Sequence, residues 1–224
     1  MQTNRTIHMA GQITEEKTGQ NCSQSSYQSA NQNLCQNQCQ DPYQDPYQNH
    51  YQRSYQTLWA KKLPKQTLRN FWEQFQEDKL NSILFYDGEP ATFSDFCAWL
   101  LAKDKDARFI ASEQGEIKAL YWLNNPVGKS VMIHFCFLRH AFCEQEEIGL
   151  YVVKSLLFSK DRQGEYVVSA LFGLTPKPYR HALAFIQKLG FHLAAELPKA
   201  CYFAQKNIYK NGIFSILTRD KIPQ

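Results

Sequence analysis

The spacing of hydrophobic and polar positions divides the chain near residue 57. From Gln20 to Gln56 a glutamine stands at every fourth position, often preceded by tyrosine, and prolines interrupt the repeat. Such a polar segment buries too little apolar surface to offset the entropy lost on ordering, so we expect residues 1–57 to form a disordered arm. Residues 58–224 are rich in Phe, Leu, Ile and Val, and we expect them to form one folded domain with its own core.

Within the domain, apolar residues recur with a period near 3.6 in some segments and near 2 in others, which distinguishes helices from strands. Helices are predicted over 65–79, from Thr92 or Ser94 to about 103, over 145–159 and over 179–189. Strands are predicted over 82–86, 108–112, 117–123, 130–138, 166–174, 190–197, 201–209 and 212–219. A tight turn around Gln114 and Gly115 joins the strands at 108–112 and 117–123 as a hairpin.

The last predicted helix has recognisable ends. Pro176 and Pro178 restrict φ at its entry and need no donor there. Gly190 can take the left-handed conformation that lets Phe191 fold back on the last turn. The apolar face of the helix consists of Tyr179, Ala182, Ile186 and Leu189. The polar positions Arg180, His181, Gln187 and Lys188 are left for solvent.

This stretch, PYRHALAFIQKLGF at 178–191, resembles the late helix of the GCN5-related N-acetyltransferases. The family pattern reads Asn, two residues, Ala, three residues, Tyr, one residue, Lys, one residue, Gly, Phe. It is matched at Ala182, Lys188, Gly190 and Phe191, while Tyr179 stands in the Asn place and Ile186 in the Tyr place. The order of predicted elements over about 80–219 also resembles that of the family. The resemblance implies a divergent member with an α/β (α+β) fold, in which helices flank a mixed central sheet.

The resemblance also implies acetyl-CoA as co-substrate. In the family, the strand that matches 130–138 parts from the one that matches 166–174 and leaves backbone groups for the pantetheine arm. The N–H of Leu138 or Arg139 is then expected to polarise the thioester carbonyl. Tyr179 is expected at the cofactor through its place in the helix pattern.

The resemblance implies that the helix after 130–138 presents its amino end to the pyrophosphate, where free N–H groups and the helix dipole favour an anion. The family loop reads Arg or Gln, two residues, Gly, one residue, Gly or Ala. One register puts Glu144 in the Arg place and brings to the cofactor Gln145, Glu147, Ile148 and Gly149. A second register, through Glu146, Gly149 and Tyr151, stays open. In the first register, carboxylates at 144, 146 and 147 oppose the pyrophosphate.

His134 is the candidate for the base that takes the proton of the amine, since it lies on the central strand beside the expected cleft. The alternative is a buried, hydrogen-bonded histidine without a catalytic role. Rival bases at strand ends are Glu113, Glu116 and Glu196. Ile186 cannot serve as the acid that the family's Tyr provides.

Charge and composition narrow the expected partners. The net charge is +4 and the cations are scattered singly, so nucleic acid is not expected as a partner. The amino terminus lacks the apolar core of a signal peptide and no segment is long enough to cross a bilayer, so we expect a cytoplasmic protein without membrane contact. Seven cysteines, an odd count, fit free thiols in a reducing compartment. No metal is predicted, because no common ligand spacing relates His134, Cys136, His140 and Cys143.

Two functional hypotheses follow from the sequence. The first is an acetyl-CoA-dependent N-acetyltransferase that acts on an amine of a small molecule or a protein. The resemblance leaves a homodimer open, because a last strand shared between subunits is common in the family, but the sequence does not settle the oligomeric state. The second is a catalytically inactive binding or structural protein on the same fold. It is motivated by the substitutions at Glu144, Glu147 and Ile186.

Overall fold

A computed structural model describes residues 55–88 and 90–223 of the chain. Most of the repeat and of the predicted arm, residues 1–54, lies outside the described residues. The strands of the described part are β1 Tyr55–Trp59, β2 Asp106–Ser112, β3 Ile117–Val127, β4 Ser130–Phe137, β5 Ala170–Pro176, β6 His192–Phe203 and β7 Ile208–Thr218. They form one sheet in the order β1-β2-β3-β4-β5-β7-β6. Neighbouring strands are antiparallel except β4 and β5, which are parallel.

The α-helices of the described part are α1 Lys65–Glu77, α2 Asn81–Leu84, α3 Phe93–Leu100, α4 Gln145–Leu157 and α5 Arg180–Lys188. α1 buries the predicted apolar stripe, which consists of Leu68, Phe71, Trp72 and Phe75. α3 begins with a capping box, in which Asp95 N donates to Thr92 Oγ1 at 3.2 Å and Thr92 N donates to Asp95 Oδ2 at 3.0 Å. Thr92 is therefore the cap. No helix within the described ranges combines the length and the apolar composition needed to cross a membrane.

The sheet separates two hydrophobic layers, because successive residues of a strand point to opposite faces. Phe109 and Trp122 lie in the layer that contains α1 and α3. Ile110 and Tyr121, one position away on the same strands, lie in the layer that contains α4 and α5. The central strand β3 is thus buried on both faces, which explains its nearly continuous apolar run. Helices flanking a mixed sheet confirm the predicted fold class.

The strand predicted at 82–86 is wrong. Lys79, with a φ of +56°, ends α1, and the following residues form the single turn α2. Leu80 and Phe85 are buried in the aromatic layer under α1 and α3, so this segment contributes to one layer only. The strand at that edge of the sheet is β1, which pairs with β2. Since β1 begins at Tyr55, the predicted domain boundary at residue 57 falls inside a strand.

The strands predicted at 190–197 and 201–209 are largely one strand, β6. Its register with β7 is irregular between Leu197 and Cys201. Pro198 has no N–H to donate there, and Lys199 has a φ of +54°. A bulge therefore accommodates the proline inside an edge strand, where the sequence suggests a break. β5 also differs from its prediction, since it begins at Ala170 and not at 166.

Candidate active site

A wedge-shaped gap opens between the parallel strands β4 and β5. The strands pair only at Ser130–Ala170, Val131–Leu171 and Met132–Phe172. β4 then continues to Phe137 and β5 to Pro176 without further pairing between them. The two strands part as predicted, and their facing edges carry backbone groups with which an extended ligand can pair.

Apolar side chains close the wedge on the side of α4 and α5. Phe185 of α5 meets Phe135 and Phe137 of β4 edge-on, with ring centroids 5.6 and 5.2 Å apart. Ile186, which stands in the Tyr place of the family pattern, is buried in the same layer. Neither Phe185 nor Ile186 carries a proton that it can donate, so α5 supplies no acid from these two positions.

His134 lies on the opposite face of β4, stacked on Trp122 with ring planes 3° apart and centroids 4.5 Å apart. Its Nε2 is 3.1 Å from Asn124 Oδ1, where the tautomer protonated at Nε2 donates to the amide oxygen. Burial, reinforced by Lys105, lowers the pKa of His134 to about 4. The ring is therefore neutral at pH 7 and accepts a proton with difficulty. This geometry resembles the buried, hydrogen-bonded alternative more than a general base.

We expect His134 to make folding stability depend on pH between its unfolded pKa of 6.5 and its folded pKa of about 4. Because the folded pKa is the lower one, the unfolded chain binds the proton more readily, and stability falls as the pH drops through this window. The full effect is about 3 kcal/mol. Urea unfolding at pH 7 and near pH 4.5 measures most of this effect.

The matched variant for this test is His134→Gln, which should lose less stability between the two pH values than the wild type. The same exchange at the exposed His181 controls for removing an imidazole from the chain. Equal pH dependence in all three proteins would contradict the expected role of His134.

Both candidate thioester donors have partners inside the protein. Leu138 N donates to Lys118 O at 3.0 Å, and Arg139 N donates to Asp78 Oδ2 at 2.7 Å. A thioester oxygen must therefore replace a partner to use either group. The partner of Leu138 is the backbone of a neighbouring strand, whereas the partner of Arg139 is a side chain that can rotate away. Arg139 is thus the more accessible donor of the two.

The segment before α4 is not an open phosphate loop. Residues Arg139–Glu144 form a 3-10 helix that runs directly into α4, and no side chain caps the junction at Glu144. The first bond of this turn is donated by Ala141 N to Leu138 O at 2.9 Å. Because a 3-10 helix uses its N–H groups in such bonds, a pyrophosphate finds fewer free donors here than at an ordinary helix start.

Partners compensate part of the negative charge at this helix start. Glu144 accepts hydrogen bonds from Tyr55 Oη and from Lys118 Nζ, both at 3.1 Å. Glu146 accepts from Lys188 Nζ at 2.8 Å. Burial, reinforced by the nearby carboxylates, raises the pKa of Tyr55, so its hydroxyl stays protonated and donates. The two lysines thus bring positive charge to a segment that is acidic in sequence.

Gly149 serves the packing of α4 on α5. A Cβ at this position would approach side-chain atoms of Leu189 and Phe185 to 2.9 Å. Its neighbour Ile148 is fully buried in the same layer. A larger residue at 149 would therefore disturb the fold before it disturbed a cofactor. The remaining residues of the predicted loop are the half-buried Gln145 and the exposed Glu147.

Tyr179 belongs to an aromatic cluster beyond the carboxyl end of β5. Its ring meets Tyr86 and Phe203 edge-on, with centroids 6.1 and 5.7 Å apart, and those two rings stack at 4.9 Å. Burial raises the pKa of Tyr179. Ala204 N donates to Tyr86 O at 2.8 Å. The cluster therefore ties the turn after α2 to the β6–β7 hairpin.

A basic cavity of about 420 Å³ lies beside the same end of β5. Its lining residues are Lys177, Pro178, Arg180, Tyr209, Lys210 and Asn211. Lys177 Nζ donates to both carboxylate oxygens of Glu196, at 2.9 and 2.7 Å. Arg180 and Lys210 add two further cations, so the cavity suits an anionic group. The sequence did not indicate this cavity, because its cations come from separate elements.

The structure brings some predicted residues together and separates others. β4 carries His134, and the residues directly after the strand are Leu138 and Arg139. Tyr179 lies apart from them, in the aromatic cluster. The rival base Glu116 pairs with Lys118 and His140. Sequence reasoning missed Asp78, whose contact with Arg139 joins residues 61 positions apart and leaves no local signal. Within the described residues, no group of three or more His, Cys, Asp or Glu side chains is arranged to hold a metal ion.

No protein-family profile matches the chain, and no curated protein matches it. Several solved structures, however, are similar to the structure of this chain. The spermidine N-acetyltransferase of Vibrio cholerae, determined with CoA and spermine, is 10% identical with a TM-score of 0.57, over 75% of this chain and 96% of that one. An acetyltransferase of the GNAT family from Bacillus anthracis is 10% identical with a TM-score of 0.59, over the same shares of the two chains.

A third similar structure is the N-acetyltransferase PseH of Campylobacter jejuni, which is 13% identical with a TM-score of 0.50, over 74% of this chain and 98% of that one. At such low identity the similarity establishes the fold and not the activity. The domain is therefore a divergent example of the GCN5-related N-acetyltransferase fold, which confirms the resemblance read from the sequence.

Proposed function

We propose that the protein is an N-acetyltransferase that moves an acetyl group from acetyl-CoA to an amine of a small molecule or a protein. The observation that carries this proposal is the wedge between β4 and β5, with the Arg139 N–H at its end. The free backbone edges of both strands suit the amide groups of a pantetheine arm. A backbone N–H at the end of the wedge suits the oxygen of a thioester as it gains negative charge.

The phosphate end of acetyl-CoA has a less regular site in this chain. The 3-10 turn before α4 uses backbone donors internally, and Glu147 is exposed at the helix start. Lys118 and Lys188 lie close to this segment through their bonds to Glu144 and Glu146, and they offer positive charge to a phosphate. We therefore expect binding that is weaker than a regular phosphate loop supports.

A binding or structural protein on the same fold is the second candidate. It is favoured by the bond from Arg139 N to Asp78, which occupies the proposed thioester donor, and by the carboxylates at the start of α4. Such a protein has no need of acetyl-CoA, and its ligand would bind elsewhere on the domain.

Isothermal titration calorimetry of the full-length protein with acetyl-CoA separates these candidates. An acetyltransferase should bind with a dissociation constant between roughly 1 μM and 1 mM, the usual range for enzyme substrates. The absence of heat at millimolar ligand would favour the binding or structural protein.

A charge variant then tests where the phosphates lie. Glu147→Gln removes a carboxylate from the first turn of α4 and should tighten acetyl-CoA binding about threefold, since one charge at a helix end contributes about 0.3–1 kcal/mol. Glu165→Gln is the matched control, because Glu165 pairs with Lys129 just before β4, at the opposite end of that strand. Equal affinities in both variants and the wild type would show that the phosphates do not lie at α4.

A further inference from the structure

Asp78 is a charged side chain in an unfavourable place. It is 7% exposed, and it is the one buried charged residue within the described ranges. It also caps the carboxyl end of α1, where the negative end of the helix dipole disfavours a carboxylate. Burying a charge is costly unless its partners compensate. The groups that compensate this carboxylate therefore decide what it can do.

The partners of Asp78 place its carboxylate at the end of β4. Oδ2 accepts from Arg139 N at 2.7 Å, and Oδ1 accepts from Gln74 Nε2 at 3.1 Å. The carboxylate also raises the pKa of the Cys136 thiol, after the larger effect of burial, so it lies close to that residue. Cys136 belongs to the layer of α1 and α3. Asp78 therefore reaches the wedge from the face opposite α4 and α5.

This arrangement has a consequence for acetyl transfer, provided that the proposed function is correct. A thioester carbonyl that binds the Arg139 N–H must displace the Asp78 carboxylate from it. The displaced carboxylate remains attached to the end of α1, next to the acetyl group. On the side of α4 and α5 the wedge is filled by Phe185 and its neighbours, whereas on the other side the Asp78 carboxylate stands at the end of β4.

We propose that Asp78 is the catalytic base of the transfer and that, in the free protein, its carboxylate occupies the site of the thioester oxygen. The acceptor enters as an ammonium ion and gives one proton to Asp78. The neutral amine adds to the carbonyl carbon, and the Arg139 N–H stabilises the oxyanion. Collapse forms the amide and breaks the C–S bond, and the remaining ammonium proton passes to the departing thiolate. Asp78 then releases its proton to solvent.

A buried acceptor without a partner lies three positions further along the chain. The side-chain oxygen of Asn81 is buried and has no hydrogen-bond partner. Buried acceptors are nearly always paired in folded proteins, so this oxygen needs a donor from water or from a ligand. An ammonium group carries three N–H donors, and it can supply such a donor.

The first test compares acetyl-CoA with CoA by calorimetry on the full-length protein. Asp78→Ala frees the Arg139 N–H, so the affinity for acetyl-CoA relative to that for CoA should rise about tenfold, the effect of one hydrogen bond to a backbone donor. CoA lacks the carbonyl, and a merely structural loss would weaken both ligands alike. The control is Asp87→Asn, which changes an exposed carboxylate nine positions further along the chain. An unchanged ratio in Asp78→Ala would overturn the competition between carboxylate and thioester.

The second test measures thiol release from acetyl-CoA with spermidine, lysine and a short peptide as amines. Asp78→Asn keeps the shape of the side chain and an oxygen for Arg139 N, but it cannot take a proton. It should lower kcat about 100-fold with little change in the KM for acetyl-CoA, and the rate should recover as the pH approaches the pKa of the amine. Wild-type kcat and an unchanged pH profile would overturn the role as base.

The two tests also separate this inference from the proposed function. If neither ligand binds to the wild type or to Asp78→Ala, or if no amine releases thiol, the acetyltransferase itself is refuted and the base with it. If acetyl-CoA binds and turns over but the Asp78 variants behave like Asp87→Asn, only the role of Asp78 is refuted. Binding that appears in Asp78→Ala and not in the wild type would support the carboxylate as an internal competitor.

Discussion

Replacing Phe96 with alanine should lower the free energy of unfolding by about 4 kcal/mol, because a fully buried Phe loses both its transfer free energy and its packing. Phe96 has no exposed surface and lies at the centre of the aromatic layer under α1 and α3. Its ring is 6.1 Å from Phe71, 4.9 Å from Trp72 and 6.2 Å from Trp99, measured between centroids. Removal leaves a cavity that rings on two helices border and cannot easily fill.

Urea unfolding followed by circular dichroism measures this effect. Phe142→Ala is the matched control, since Phe142 is 46% exposed and its removal should change stability by less than about 0.5 kcal/mol. A loss below about 1 kcal/mol in Phe96→Ala would mean that the aromatic layer collapses around the missing ring, and that it is packed more loosely than the structure indicates.

Replacing Gly190 with alanine should lower the free energy of unfolding by about 3 kcal/mol, for two reasons that add. Gly190 has a φ of +94°, which disfavours any residue with a Cβ. A Cβ at this position would also overlap the carbonyl oxygen of Lys221, a backbone atom that cannot rotate away. Thermal and urea unfolding should both report the loss.

The variant Gly115→Ala separates the cost of the positive φ from the cost of the steric overlap. Gly115 has a φ of +81°, but no atom lies within 4 Å of the position that a Cβ would take. It should therefore show the conformational cost alone, about 1 kcal/mol. Equal losses in the two variants would mean that the segment around Lys221 moves aside without cost, and that the contact with α5 does not stabilise the domain.

The elements that the sequence predicted well depend on neighbours along the chain. Phe191 N donates to Ile186 O at 3.1 Å, which closes α5 with the fold-back that Gly190 and Phe191 predict. The β2–β3 hairpin turns at Gly115 in the same way. In both cases glycine alone adopts the required backbone conformation without strain, so the residue type carries the structural information.

The segment at 82–86 could not be assigned from its own residues. A short apolar run fits a strand and a buried helical turn equally well. The outcome depends on β1, which occupies the edge of the sheet beside β2, and on the aromatic layer that receives Leu80 and Phe85. Both are tertiary effects that involve distant parts of the chain.

The sequence predicted the arrangement of the strands at the candidate site, but it did not predict the hydrogen bonds between side chains and backbone there. The family resemblance predicts the parting of β4 from β5, and the strand pairing shows it. The bonds from Arg139 to Asp78 and from Tyr55 to Glu144 join residues 61 and 89 positions apart. No periodicity or spacing relates such pairs, so the occupied donor and the compensated carboxylate emerge only from the folded chain.

The two edges of the described sheet bear on how the protein behaves at high concentration. An exposed edge strand offers unpaired backbone groups to any other chain, and long regular edges promote aggregation. β1 is only five residues long, and β6 is interrupted by Pro198 and by the positive φ of Lys199. The register of β6 with β7 also shifts between Leu193 and Ala195, so only short stretches of this edge are regular. These interruptions oppose open-ended stacking of other chains along either edge of the described sheet.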